Sequence, residues 1–404
     1  MPRSSVLLVG VSLCLGCAGS APAAVGQVEV SKPKRPPEPH PDPATDMELA
    51  SDGCVADTVE LGIASVLALT GCAPKRRLRG DWEPPETLLL AYTHEWRDSL
   101  AELIAAAQPQ THVFLLASDA ELEDREIAAW FGRHHVSTIR IEHDTPWVRD
   151  YGPIEVLDER GRRRWVDLSY YDERPLDDAL PEQLARLARV EVESYWLQGE
   201  GGALAGNGRG VCAMTQPSLE GLLQGMTNDD RLESLMEMLG CHSLAVVPAL
   251  ANEQTGHVDV LVQFLGPELA VVAEMDPKVD REAAEGLDAS ADALAAAATA
   301  VGQKLDVIRV PMHVAGEAFF TYVNGTRLRE RFLVPYYYRV DPRVQSQAYS
   351  RLREALPGVT LVPIHADPMV LRGGAVHCLT LGLGTRLDPL LGTEPDSADD
   401  TSPI

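Results

Sequence analysis

From residue 85 onward the chain alternates short apolar runs with stretches of helical periodicity. Thr87–Tyr92 is apolar, is bounded by Pro84-Pro85, and predicts a buried strand. Glu95–Ala107 has the spacing of an amphipathic helix, and Thr111–Ala117 predicts a second buried strand. Ser118 predicts the cap of a helix running to about His134, because Glu121 follows three residues on, as in a capping box. Strands are predicted at Ser137–Glu142, Ile154–Leu157 and Arg164–Leu168. Later helices are predicted at Pro181–Arg189, Asp229–Leu239, Ala283–Lys304 and Pro342–Leu356. Between them lie expected strands Ser243–Pro248, Val258–Phe264, Leu269–Glu274, Asp306–Val310, Phe319–Val323, Arg331–Pro335 and Thr360–Pro363.

No strict sequence repeat appears, but a unit of a few short strands plus one helix recurs at roughly 50–70 residue spacing. That recurrence predicts a modular α/β architecture rather than one open Rossmann sheet. The Gly-Glu-Gly-Gly run at 199–202 does not give GxGxxG after a strand, so no dinucleotide fingerprint is present. At 404 residues, 45% hydrophobic and 24% charged, the chain has enough apolar material for a large core, which excludes wholesale disorder. Its 35 Lys+Arg against 60 Asp+Glu leave a formal net charge of −25. Such a surface repels phosphate backbones and draws cations, so no nucleic-acid partner is expected.

The ends read differently. Residues 1–17 resemble an export signal: Arg3 supplies charge, Val6–Leu15 is an apolar run too short to span a bilayer, and Leu15-Gly16-Cys17 resembles a bacterial lipoprotein processing site. Cys17 is then the expected lipidated residue, with cleavage near Ala21–Ala24 as the plainer alternative. Residues 18–50 include Lys32-Pro33-Lys34-Arg35-Pro36-Pro37-Glu38-Pro39, a density of proline that favours extended chain and predicts a disordered tether. An N-terminal extension (51–84), a folded domain (85–385) and an acidic disordered tail (386–404) complete the expected organisation. The expected location is a bacterial cell envelope, with the chain exported and held to a membrane by its lipid.

Five segments concentrate chemistry: Trp147-Val148-Arg149-Asp150-Tyr151-Gly152-Pro153, Glu200-Gly201-Gly202 with Asn207-Gly208, Gly256-His257-Val258-Asp259, Tyr322-Val323-Asn324 and Gly373-Gly374-Ala375-Val376-His377-Cys378. Each has an ordinary reading alone. Cys378 could be a buried structural thiol. Asp150 could pair with Arg149 or Arg133, and Glu200 could be a turn carboxylate. On a strand, His257 and Asp259 would leave the same face and demand a partner. Together, a cysteine, a histidine and three carboxylates suit hydrolysis of a guanidinium group. Two carboxylates can each accept a bidentate pair from that planar cation. A thiol can attack its central carbon, given a positive neighbour or a base to make it a thiolate. A histidine can pass a proton to departing ammonia and take one from water.

In order and content, these segments resemble those of the agmatine deiminase and porphyromonas-type peptidylarginine deiminase family, a branch of the guanidino-group-modifying enzymes, along most of residues 85–385. The resemblance implies a five-bladed α/β propeller (pentein) with pseudo-fivefold symmetry. It implies Cys378 as nucleophile through a covalent thiouronium-type intermediate, His257 as general acid and base, Asp150 and Asp259 as guanidinium clamps, and Glu200 as the partner of the histidine. Trp147 would line the channel and Asn324 would contact the site. No metal or other cofactor is implied. Relatives carry Asn after both glycine pairs, where this chain has Ala203 and Ala375.

The expected substrate is a cationic guanidino compound, either agmatine or an arginine side chain. Arg174, in Tyr171-Asp172-Glu173-Arg174-Pro175, matches a position where the peptidylarginine branch keeps a carboxylate-binding arginine, but Leu176 stands where a second would be. A surface ion pair of Arg174 with Asp172 or Asp178 is the alternative. With Cys14, Cys17 and Cys378 set aside, Cys54, Cys72, Cys212 and Cys241 remain, and an exported chain permits two disulfides among them, with Cys54–Cys72 and Cys212–Cys241 as one pairing. Rival readings are a non-catalytic lipoprotein that binds a cation, an amidinotransferase or dimethylarginine hydrolase, and a thiol peptidase. The peptidase has no use for two substrate-facing carboxylates. None of these motifs bears on oligomeric state.

Overall fold

The structure, a computed structural model, describes residues 27–29, 54–72, 75–226 and 231–387. The expected signal, Cys17, nearly all of the expected tether and most of the expected tail lie outside the described residues. Among the described residues no helix is long and apolar enough to cross a membrane.

One connectivity recurs in five sheets. A strand pairs antiparallel with the next, and a helical crossover returns the chain to a parallel third strand. In the first sheet the C-terminal strand Leu381–Leu383 runs antiparallel to Thr87–Ala91, which is parallel to His112–Ala117. In the second, Ile154–Asp158, Arg163–Ser169 and Glu191–Gln198 follow the same pattern. Leu204–Gly206, Val211–Thr215 and Ser243–Val247 form the third, and Val262–Gly266, Leu269–Glu274 and Asp306–Pro311 the fourth. Thr326–Arg327, Arg331–Tyr336 and Thr360–His365 form the fifth. Central strands such as Thr87–Ala91 and Val211–Thr215 are buried along their whole length, as parallel strands covered on both faces must be. Because the last described strand pairs with the first of these units, the two ends of the described region from Thr87 to Leu383 are held together.

Additions cover the edges. Ser137–Arg140 extends the first sheet, and Gln27–Glu29 pairs beyond it. The hairpin Val55–Leu61/Ala64–Thr70 joins the third sheet beside Ser243–Val247, and Arg76–Leu78 joins the second beside Ile154–Asp158. Residues expected to form an N-terminal extension therefore contribute to two sheets. Disulfides Cys54–Cys72 and Cys212–Cys241 are both formed. The first ties the ends of the hairpin. The second ties the strand Val211–Thr215 to the residue just past the helix Arg231–Leu239.

Three predicted elements differ. The stretch 118–134 forms two helices, Asp119–Glu123 and Arg125–His134, rather than one. Ser118 makes the full capping box with Glu121, but Asp124 is extended and caps the second helix through Glu126 and Ile127 N–H groups. The run from Val258 begins not as a strand but as the tight turn Val258–Val260, closed by the Leu261 N–H to Val258 carbonyl bond, with a strand only from Val262. A short run buried on every side reads the same in either conformation. Likewise the strand expected over Phe319–Val323 ends at Phe320.

Candidate active site

Each chemical segment lies where the chain leaves the last parallel strand of one unit and enters the next. Asp150 sits on the four-residue helix Val148–Tyr151 ahead of Ile154–Asp158. Glu200 follows Glu191–Gln198, and His257 and Asp259 lie between Ser243–Val247 and Val262–Gly266. Asn324 and Cys378 occupy the next two connections. Gly256, at φ +68°, supplies a left-handed turn into the His257 segment.

These connections converge. The Cys378 sulfur lies 3.7 Å from Asp259 Oδ2 and 3.3 Å from Asn324 Nδ2. Asn324 Nδ2 also donates to the Asp259 carbonyl, and its Oδ1 accepts from the His377 N–H, so Asn324 links both loops. His257 lies between two carboxylates: Nε2 is 3.2 Å from Glu200 Oε2, and Nδ1 is 3.6 Å from Asp150 Oδ1. Tyr171 donates to the other Glu200 oxygen at 2.6 Å. Asp150, His257, Asp259 and Cys378 are all buried. Among the described residues, Asp150 Oδ1, Asp259 Oδ1 and His257 Nδ1 are buried without a hydrogen-bond partner. The two carboxylate oxygens are unpaired acceptors, costly at this depth unless a ligand supplies the donors.

The electrostatics follow from that packing. Burial raises the Asp150 carboxyl to about 7, against the pull of the nearby His257 charge. Burial would depress His257, but Asp150, Glu200 and Asp259 outweigh it and raise the imidazole to about 10. Burial would raise Glu200, but the bond and charge of His257, the Tyr171 hydrogen bond and the Arg174 charge together hold it below its ordinary value. Burial pushes the Cys378 thiol well up, and Asp259 and Asp150 add to the effect. These side chains by themselves thus make a protonated thiol, an imidazolium and surplus negative potential. A guanidinium placed there reverses the thiol's situation by adding the missing cation.

Two glycines make room. A Cβ on Gly202 would stand 2.6 Å from both Asp150 Oδ1 and His257 Nδ1. A Cβ on Gly374 would stand 2.5 Å from the Trp147 ring and 3.0 Å from Cys378 Cβ. Trp147 packs against Trp96 with ring centres 5.0 Å apart, beside the cysteine loop. Ala203 and Ala375 are buried next to these glycines.

Arg174 does not make the surface ion pair with Asp172 or Asp178 considered above. It donates to the Tyr170 hydroxyl at 2.9 Å and lies over the Tyr170 and Tyr171 rings at 5.6 and 5.1 Å. Tyr171 connects it to Glu200. Arg149 does not pair with Asp150; it contacts Asp81 at 3.4 Å and the Thr380 carbonyl at 3.2 Å. Asn207 belongs to a turn, accepting from Arg209 and Val211 N–H groups, and Tyr322 is a core residue. Sequence reasoning missed His377, Asp81 and Tyr171 as parts of the site. His377 stood in the cysteine motif, beside Cys378, and its polarity in an apolar run was the available signal. Ligand atoms of Asp150, Glu200 and His257 lie within 4.8 Å of one another, a spacing that could also hold a metal ion.

A family model described as porphyromonas-type peptidyl-arginine deiminase matches residues 77–383. A Selenomonas ruminantium protein named as a candidate agmatine deiminase is 27% identical over 318 residues, covering 69% of this chain and 85% of its own. The agmatine deiminase of Enterococcus faecalis shares the fold with a TM-score of 0.68 at 17% identity, over 78% of this chain and 98% of that one. A candidate arginine deiminase from Porphyromonas gingivalis gives a TM-score of 0.65 at 22% identity, over 77% and 99%. With an α/β fold of mixed sheets like theirs and a family match across most of its length, this chain belongs to the porphyromonas-type peptidyl-arginine deiminase family, hydrolases that act on amidine C–N bonds.

Proposed function

We propose that the protein hydrolyses a terminal guanidinium group on an aliphatic stem to a ureido group and ammonia. The observation that carries this reading is the convergence of Cys378, His257, Asp150, Asp259 and Glu200 with buried acceptors that have no donor. Asp150 and Asp259 receive the guanidinium N–H groups, and Trp147 flanks the stem. The bound cation lowers the thiol's pKa, the thiol proton passes to solvent, and the Cys378 thiolate bonds to the central carbon. His257, charged at neutral pH, gives its proton to one amino group, the C–N bond breaks, and ammonia departs from a thiouronium. His257, now neutral, takes a proton from water as the oxygen attacks. The C–S bond then breaks, which releases the thiolate; the remaining hydroxyl proton passes to solvent, where the released ammonia is protonated to ammonium, and once the product has left the thiolate takes a proton back from solvent. Asn324 holds the cysteine and Asp259 loops together during both steps. The five recurrent units fit closure into a five-bladed propeller with these loops at its centre.

Agmatine and arginine within a peptide are the two substrate classes to separate. Relatives named as agmatine deiminases favour the first. Arg174, held by two tyrosines and one tyrosine away from Glu200, favours a carboxylate-bearing second. We further propose an exported protein held to the bacterial envelope through a lipid on Cys17 and an extended tether. The two disulfides support an oxidising compartment. Mass analysis of the mature N-terminus, with Cys17→Ser as control, tests the anchor.

The deciding experiment incubates residues 18–404 with agmatine, free arginine or a peptide ending in arginine, and follows ureido product and ammonia. Turnover of one of them, abolished in Cys378→Ala, is expected. Binding without turnover would replace this reading with a cation-binding lipoprotein, and transfer of the amidino group to an added amine would make it an amidinotransferase.

A further inference from the structure

His377 is a buried imidazole that the mechanism above does not use. It immediately precedes the nucleophile, and its side chain is 2% exposed. Its Nδ1 lies 2.7 Å from Asp259 Oδ2, the same oxygen that lies 3.7 Å from the Cys378 sulfur. Its Nε2 faces Asp81 Oδ1 at 3.8 Å, a charge contact longer than a hydrogen bond. Asp81 is in turn 3.4 Å from Arg149 Nη1. Arg149 closes the circuit: its Nε donates to the Thr380 carbonyl, and its backbone N–H donates to the Cys378 carbonyl at 3.3 Å.

An imidazole between two carboxylates has little choice of protonation. A neutral ring has one N–H and one lone pair, so either tautomer would aim a lone pair at a carboxylate. Only the imidazolium presents a donor to each side. The facing groups are Asp259, Asp81, Arg149 and Cys378. Burial and Arg149 work against the charge, but Asp259 and Asp81 outweigh them and raise His377 above its ordinary value. Asp81, though buried, is held low by its contacts with His377 and Arg149.

We propose that His377 is a positioning residue, an imidazolium clamped by Asp81 that aims and charge-balances the Asp259 carboxylate beside Cys378. The mechanism needs such a group. Asp259 must stay ionised and fixed within 3.7 Å of a sulfur that itself becomes an anion. A cation on Oδ2, the oxygen nearest the sulfur, lowers the repulsion without competing for Asp259 Oδ1, the oxygen without a partner. Asp81 lies ahead of the first strand of the first unit, so the chain preceding that unit completes the site. The role rests on the deiminase reading, because it assigns Asp259 to a guanidinium.

Two measurements test it. Nitrogen-15 histidine spectra of the ligand-free protein, with His377→Asn to assign the signal, are expected to show His377 doubly protonated at pH 7. Asp81→Asn should lower its titration midpoint. Calorimetry with agmatine and an arginine-ended peptide on Cys378→Ser should show His377→Ala weakening binding about tenfold or more. His377→Asn, which keeps an N–H donor near the Nδ1 position, should recover part of that loss. In the active enzyme His377→Asn should raise KM more than it lowers kcat. A neutral His377 at pH 7, or unchanged affinity in His377→Ala, would overturn the proposal while leaving the deiminase reading intact. Absence of guanidino binding with His377 in place would sink the functional reading and this role with it.

Discussion

At the scale of single residues, the site is organised by what a missing cation would satisfy. Asp150 carries a carboxyl raised to about 7 and His257 an imidazole raised to about 10. A raised carboxyl binds its proton more tightly in the fold than in the unfolded chain, so its ionisation becomes costly as pH climbs from about 4 to about 7. A guanidinium removes that cost by pairing with the ionised form. Agmatine, or whichever guanidino compound binds, should therefore raise the melting midpoint more at pH 8 than at pH 5, as a thermal-shift titration would show. The His257 sign is opposite: its charged form is present below about 10 and lost above it. Activity should rise through about pH 7 and fall toward pH 10 in a kcat/KM profile. Gly202 is the second lever at this scale. Gly202→Ala forces a methyl to within 2.6 Å of both Asp150 and His257, and a displacement of about 1 Å should cost on the order of 100-fold in kcat/KM. Wild-type turnover in that variant would remove these two groups from the reaction.

Elements place these residues by repetition. Five connections between units each deliver one part of the constellation, and this is why residues from 150 to 378 in the chain meet at one point. Much of this was legible in sequence. The apolar runs at Thr87–Ala91 and Leu269–Glu274 stand within two residues of their predicted limits, because strands buried on both faces are apolar throughout. The short connecting turns were not, since Val258–Val260 is as apolar as a strand and only its neighbours decide its conformation. The break at Asp124 was hidden too: one periodic pattern ran across two helices. Asp124→Ala removes two bonds to the first N–H groups of Arg125–His134 and should destabilise the protein by about 1 kcal/mol in urea unfolding. No change would mean that water replaces the cap.

For the whole molecule, closure and charge matter most. The strand Leu381–Leu383 begins three residues after Cys378 and pairs with Thr87–Ala91, so fraying of that strand would carry Cys378 with it. The Cys212–Cys241 bridge spans 29 residues, and replacing both cysteines by alanine should cost roughly 3 kcal/mol of stability by denaturant unfolding. A net charge of −25 should draw a cationic substrate, so kcat/KM is expected to fall as salt rises from low to physiological strength. A flat salt profile would confine the attraction to the site itself.

By itself the sequence singled out the reactive side chains that the fold brings together and their order along the chain, because a thiol, an imidazole and carboxylates flanked by glycine pairs are local features. It determined the α/β alternation for the same reason, through periodicities of a few residues. Tertiary structure decided who partners whom. Arg149 turned from its chain neighbour Asp150 to Asp81, 68 residues away, and Arg174 turned from acidic neighbours to two tyrosines. His377 became the partner of Asp259, 118 residues away, and Asp81 entered a site that the sequence had placed wholly downstream of it. Pair energies depend on distance and burial, which sequence separation does not encode, and only the folded sheets bring those groups within reach of one another.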